Sequence, residues 1–163
     1  MSEIKLKTVK IDRPEGTNII LGQCHFIKTI EDLHEVIVGG VPNAIFGIAF
    51  SESSGPCLIR SSGNDPELID LAVKNMLNIA AGHTFIIMLK NIYPINIMNS
   101  IKNVSEVCNI YCATANPAEV ILAENNLGRG IIGVIDGSSP KGVEKEKDIE
   151  ERKSLLRKLG YKL

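Results

Sequence analysis

Tryptophan is absent from this 163-residue chain, and four Phe with three Tyr bring the aromatic share to only 4%. A stacking platform for single-stranded nucleic acid has little to be built from. Neither sign of charge prevails, because 18 Lys and Arg stand against 19 Asp and Glu for a formal net charge of -1. That excludes the broad positive field by which proteins grip phosphate backbones and leaves room only for a local basic patch. No apolar run approaches the roughly 18 residues that would suggest a membrane span. The opening MSEIKLKTVKIDRPEG alternates charged and apolar residues and lacks the apolar centre of a signal peptide. The expectation is a cytoplasmic protein with neither nucleic acid nor membrane as partner.

Cysteine is sparse too, at positions 24, 57, 108 and 112, with no Cys-x-x-Cys pair. Cys108 and Cys112 would face the same way on a strand, but no nearby His or third Cys completes a tetrahedral metal set. Buried reduced thiols are expected, and no metal ligand is identified. A Walker-type phosphate loop, GxxxxGK[ST], is also missing, which removes the commonest NTPase architecture.

What is present is 44% hydrophobic residues in a chain long enough to bury roughly 70% of its unfolded surface. One domain with a core of its own follows, needing no staple. Ile4, Leu6, Val9 and Ile11 predict a strand, and residues 18–23 predict another that forms a hairpin with it across the RPEG turn. Thr29 reads as the N-cap of a helix favoured by Glu31 and Asp32 and stopped by Gly39-Gly40, with His34 inside it. Residues 44–50, nearly all apolar, predict a strand buried on both faces, with residues 57–61 as its partner. Asp65 caps a helix with Pro66 at its first position, and Leu68, Ile69, Ala72, Val73, Met76 and Ile79 mark its buried face as far as Gly82.

Residues 83–89 and 107–113 read as further strands, and residues 94–103 as a short helix. Asn116, Pro117 and Glu119 mimic a helix start, yet Val120-Ile121-Leu122 before the NNLGRG turn reads better as half of a hairpin completed by residues 131–135. Residues 144–159 form a charge-laced last helix, acidic early and basic late, with Ile149, Leu155, Leu156 and Leu159 available to dock it. The fold class is α/β or α+β, a single domain with a mixed β-sheet covered by helices, its strand order left open.

Gly128-Arg129-Gly130-Ile131-Ile132-Gly133 matches the dinucleotide fingerprint GxGxxG, but it leads into a strand rather than a helix, so a hairpin turn explains it. A better anion site is the loop from Ser61 to Asp65, including Asn64, where free backbone N–H groups meet a helix N-terminus and Arg60 adds charge. Asp65 acting as the cap is the plain alternative. Two loops share a form in which a buried strand ends and acid, small hydroxyls, glycine and proline follow. One holds Ser51, Glu52, Ser53 and Gly55, and the other Asp136, Gly137 and Ser138. Each suits a small polar ligand or hydrated Mg²⁺, and each could be a simple turn. His25 and His34 have no local partner, whereas His83 begins an apolar strand at the mouth of the sheet, where structural and catalytic roles both remain open.

Read in order, FGIAFSESSG, the ND-x-EL helix start, AAGHTFIIML, PINIMNSIKNV, CATANPAEV, GRGIIGVIDGSSP and EERKSLLRKLGYK resemble the archaeal and bacterial adenosine-specific kinases. The resemblance runs from about Gly22 to the C-terminus. It implies an αβ domain that binds adenosine or AMP, forms a homo-oligomer, a trimer or its multiple, and carries a phosphoryl group on a histidine. His83, in AAGH, matches that histidine. The implied nucleotide site draws on Ser51, Glu52, Ser53, Gly55, Arg60, Asn64, Asp65, Asp136, Gly137 and Ser138. His83 would attack the γ-phosphate of ATP while Glu52 or Asp136 holds Mg²⁺. A non-catalytic adenine-nucleotide sensor is the alternative from another class.

Overall fold

A computed structural model describes residues 3–163. Met1 and Ser2, the first residues of the stretch read as lacking a signal peptide, lie outside the described residues. Eight strands and four helices follow in the order β1 (Lys5–Lys10), β2 (Thr17–Cys24), α1 (Thr29–Gly40), β3 (Ile45–Ser51), β4 (Ile59–Gly63), α2 (Pro66–Ile79), β5 (Thr84–Lys90), α3 (Met98–Lys102), β6 (Val107–Thr114), β7 (Ala118–Glu124), β8 (Arg129–Asp136) and α4 (Glu146–Lys158). The strands form a five-stranded sheet, β4-β3-β5-β2-β6, and a three-stranded sheet, β1-β7-β8. All pairings among the described residues are antiparallel.

The near-continuous apolar runs of β2, β3 and β5 are explained by two cores, one on each face of the large sheet. On one face Phe46, Ile48, Phe50, Phe85 and Ile87 meet Leu33 and Ile37 of α1 and Ile101 of α3. On the other, Ala49, Ile86 and Met88 meet Leu68, Ala72 and Met76 of α2, and Val120 and Leu122 of the small sheet close the same core. Strands buried on both faces need no alternation, which is how they read in the sequence. Helix α2 approaches β3 so closely that a Cβ on Gly47 would lie 2.3 Å from the backbone carbon of Leu68. No helix among the described residues is long and apolar enough to cross a membrane.

Four expectations are corrected. The expected β1–β2 hairpin does not form, because β1 pairs with β7 in the other sheet. Buried Asn75 on α2 accepts from Asp12 N and donates to Asp12 O, both at 2.8 Å, and so steers the chain between sheets at a point no local turn signal reveals. Thr29 is the first helical residue rather than the cap, since its buried hydroxyl donates back to the carbonyls of His25 and Phe26. The last helix buries no residue, being held by local pairs such as Arg152 to Glu144 at 2.7 Å and by contact of Tyr161 with Tyr93. Of the four thiols only Cys24 is fully buried, while Cys57 and Cys108 are exposed. Register shifts along β6 interrupt the alternation that would have given Cys108 and Cys112 a shared face.

Candidate functional site

Antiparallel pairing brings the end of β3, the start of β5, the start of β4 and the end of β2 to one end of the large sheet. Ser51 stands opposite both Thr84 and Ile59, and Gln23 is also opposite Thr84. The chain is strained here. Phe26, Cys57, Ala80 and His83, all flanking this end, have φ of 78°, 50°, 50° and 52°. Such left-handed conformations in residues other than glycine cost of order 1–3 kcal/mol each and concentrate where a fold must aim a group.

His83 is the most constrained of the four. Its N–H donates to Ser51 O at 2.8 Å, and its carbonyl accepts from Cys24 N at 2.9 Å. The imidazole lies nearly parallel to the Phe50 ring, with centroids 6.2 Å apart. Its Nε2 is 3.2 Å from Glu52 Oε1, and its side chain remains 36% exposed.

Glu52 is the reverse case, a carboxylate only 5% exposed. Oε1 also accepts from Ser53 N at 3.0 Å and from Ser54 Oγ at 3.1 Å, and Arg60 Nε lies 3.6 Å from Oε2. Burial alone would push the carboxyl above its ordinary range. The hydrogen bonds from Ser53, Ser54 and His83 outweigh burial and hold it lower, so the group is an anion at neutral pH.

Beside this cluster opens a cavity of about 780 Å³. Ser51, Glu52, Ser53 and Gly82 form one wall, Met76 and Ile59 supply apolar surface, and Leu127, Gly128 and Arg129 of the β7–β8 turn face them. A Cβ on Gly82 would come within 2.4 Å of Ser53 Oγ and 3.0 Å of Ser53 Cβ, so a side chain at this position would press on the wall that Ser53 forms. Arg129 ties the turn to α2 by donating to Asn78 O at 3.0 Å.

The expected site residues divide into two groups. Ser51, Glu52, Ser53 and Arg60 gather around His83, and Gly55, with φ of 57°, shapes the exposed tip of the same β3–β4 loop. The Ser61–Asp65 loop is occupied by structural duties at the other end of β4. Asp65 Oδ1 accepts from Leu68 N at 3.1 Å as the α2 cap. Asn64 bridges Phe46 N and Ala44 O, and Ser62 Oγ lies 2.8 Å from His34 Nδ1.

Asp136 likewise accepts from Thr114 Oγ1 and Asn116 Nδ2, while Gly137 N donates to Pro117 O. Asp136 ends β8 and Gly137 and Ser138 follow it, at the end of the strand opposite Arg129 and about 23 Å away from it at 3.3 Å per residue. The two similar loops therefore do not meet within one chain. The sequence reading missed Arg129 and Leu127 as walls of the cavity, although the glycines around Arg129 had marked the turn that carries them. It also gave no role to Phe50, whose core position hid its contact with His83.

Glu52 does not fit the magnesium role expected of it. Oε1 already serves three donors and the second oxygen faces a guanidinium, leaving no array of free oxygens of the kind Mg²⁺ requires. Among the described residues no group of three or more His, Cys, Asp or Glu side chains could hold a metal ion.

The crystal structure of the PH1918 protein from Pyrococcus horikoshii matches this fold with a TM-score of 0.94 and 46% sequence identity, over 99% of each chain. A search of curated proteins finds no match. The family model described as adenosine specific kinase matches residues 9–162, a span that takes in the whole large sheet, β7 and β8 of the small one and the His83 cluster. The chain belongs to the adenosine-specific kinase family.

Proposed function

We propose that the chain binds adenosine or an adenine nucleotide in the cavity beside Glu52 and Gly82, and that His83 accepts the γ-phosphoryl group of ATP. The observation that carries this reading is the mounting of His83. Backbone strain, the Phe50 ring and a buried anion all fix one partly exposed imidazole, and the Gly82 that precedes it and the Glu52 that meets it line a nucleoside-sized cavity. Family membership supplies the adenosine and kinase half of the reading.

In the transfer, a ring nitrogen lone pair forms the N–P bond, the bond from Pγ to the bridging oxygen breaks, and ADP departs with that electron pair. Arg60, half-buried beside Glu52, is placed to receive phosphate charge. Mg²⁺ in this reading arrives on the nucleotide's own phosphates, as Glu52 does not supply its ligands. The protein works in the cytoplasm as a homo-oligomer, a trimer or its multiple. The outward face of the small sheet, with Leu6, Ile132 and Ile135 exposed, is the surface best suited to self-association, and sedimentation velocity reads the assembly directly.

Calorimetric titration with adenosine, AMP and guanosine tests the binding half. Adenine ligands are expected to bind and guanosine to bind weakly. Gly82→Val, which drives a side chain against Ser53, is expected to weaken adenosine at least tenfold, with a thermal melt confirming that the variant is folded. Unchanged binding in that variant places the nucleoside elsewhere. Adenosine binding by the natural sequence without any phosphoryl uptake from ATP leaves the non-catalytic sensor as the better description.

A further inference from the structure

We propose that Glu52 is a positioning residue that holds His83 as its Nε2–H tautomer, and thereby makes Nδ1 the atom that takes the phosphoryl group. The inference rests on the reading of His83 as a phosphoryl acceptor and names the reacting atom within it. A neutral imidazole carries one N–H and one lone pair, and only the nitrogen with the lone pair is a nucleophile. Nε2 lies 3.2 Å from Glu52 Oε1, and an ionised carboxylate can only accept. The proton therefore sits on Nε2, and the lone pair is left at Nδ1. No hydrogen bond engages Nδ1 among the described residues.

Neither partner is free to change this arrangement. Glu52 is anchored by Ser53 N and Ser54 Oγ on the oxygen that meets His83, and its side chain is buried. His83 is pinned at both its backbone groups and lies along the Phe50 ring. Turning the ring over about Cβ–Cγ would place a carbon where Nε2 now meets the carboxylate and forfeit the contact.

The step then balances without a further reagent. The Nδ1 lone pair forms the bond to Pγ, the bond to the bridging oxygen breaks, and ADP leaves with its electrons. The ring becomes a phosphoimidazolium whose Nε2 proton stays in the hydrogen bond to Glu52. The buried carboxylate offsets the positive charge as it develops, the same service an acid behind a histidine gives in hydrolytic triads.

The test begins with the unmodified protein. Long-range proton–nitrogen spectra of ¹⁵N-histidine-labelled protein at mildly alkaline pH, with His83 assigned through His83→Asn, are expected to show a bare Nδ1 and a protonated Nε2. Glu52→Gln, whose amide can either accept or donate, is expected to give a mixture of tautomers and to slow phosphorylation by ATP by about a hundredfold or more. Glu52→Asp is expected to recover part of both. A His83 that is a mixture in the natural sequence, or protonated at Nδ1, overturns the proposal. That readout needs no variant of Glu52 to fold.

Phosphoramidate, a small donor that needs no nucleotide site, then supplies an arm independent of kinase activity. Phosphorus–proton correlation is expected to place its adduct, and any adduct from ATP, on Nδ1. An adduct on Nε2 from either donor overturns the proposal. An Nδ1 adduct from phosphoramidate with none from ATP upholds the positioning role while the kinase reading itself fails.

Discussion

At the scale of single residues, the site depends on side chains whose surroundings alter their ordinary chemistry. Glu52 is kept charged in a place where burial opposes charge, and Cys24, whose backbone N–H holds the His83 carbonyl, shows the opposite outcome. Burial pushes the Cys24 thiol up to about 12 and the Cys112 thiol to about 11, so neither forms the reactive thiolate near neutral pH. Cys57 and Cys108 are exposed. Brief alkylation of the native protein with iodoacetamide, followed by peptide mass analysis, is therefore expected to label Cys57 and Cys108 and to spare Cys24 until denaturant is added. Rapid native labelling of Cys24 would mean that the end of β2, and with it the backbone hold on His83, opens readily. His83 itself was singled out in the sequence by its place between a helix stop and an apolar strand. Glu52 was singled out as well, but as a magnesium ligand and not as the partner of His83, because nothing in the string SESSG says which oxygen meets which donor.

At the scale of elements, much of the fold was legible because the signals were local. The Asp65–Pro66 start and the spacing of Leu68, Ala72, Met76 and Ile79 define α2. NNLGRG marks the β7–β8 hairpin. What could not be read was set by distant partners, such as the grip of Asn75 on Asp12 that sends β1 to the other sheet, or the shifts in register that disturb β6. Ser61 to Asp65 looked like an anion loop for the same local reasons that make Asp65 a good cap, and the cap prevailed.

Helix α2 lies directly against the backbone of β3 at Gly47. An added methyl at Gly47 would meet the backbone of Leu68 and Ile69 at 2.3–2.4 Å, where no side-chain rotation can relieve the clash. Gly47→Ala is expected to destabilise the chain by about 2–3 kcal/mol, read as a fall in the urea midpoint with little change in slope. A change below about 0.5 kcal/mol, the usual range for uninvolved surface sites, would show that α2 does not seat on β3 this closely.

At the scale of the whole molecule, the two sheets and α2 close one core, and the strained end of the large sheet meets the turn of the small one across the cavity. His83 and the Glu52 anion belong to the large sheet, whereas Leu127 and Arg129 belong to the small one. This division explains why the sequence, in which residues 82 and 129 lie far apart, showed two promising loops but not the cavity wall that faces the first of them. It also assigns different consequences to the two sides. Changes at His83 should act on phosphoryl uptake, and changes along the cavity on nucleoside affinity.

The central claim is that His83 is the phosphoryl acceptor, and Asn is a suitable replacement because it tolerates the left-handed backbone conformation better than most residues. The most direct measurement is intact-protein mass at alkaline pH after incubation with Mg²⁺ and ATP, for the natural sequence and for His83→Asn. The account predicts a gain of one phosphoryl group, lost on acidification, in the natural sequence and no gain in the variant, which still binds adenosine. A phosphoryl adduct of equal extent in both proteins, or in neither while adenosine remains bound, would contradict it.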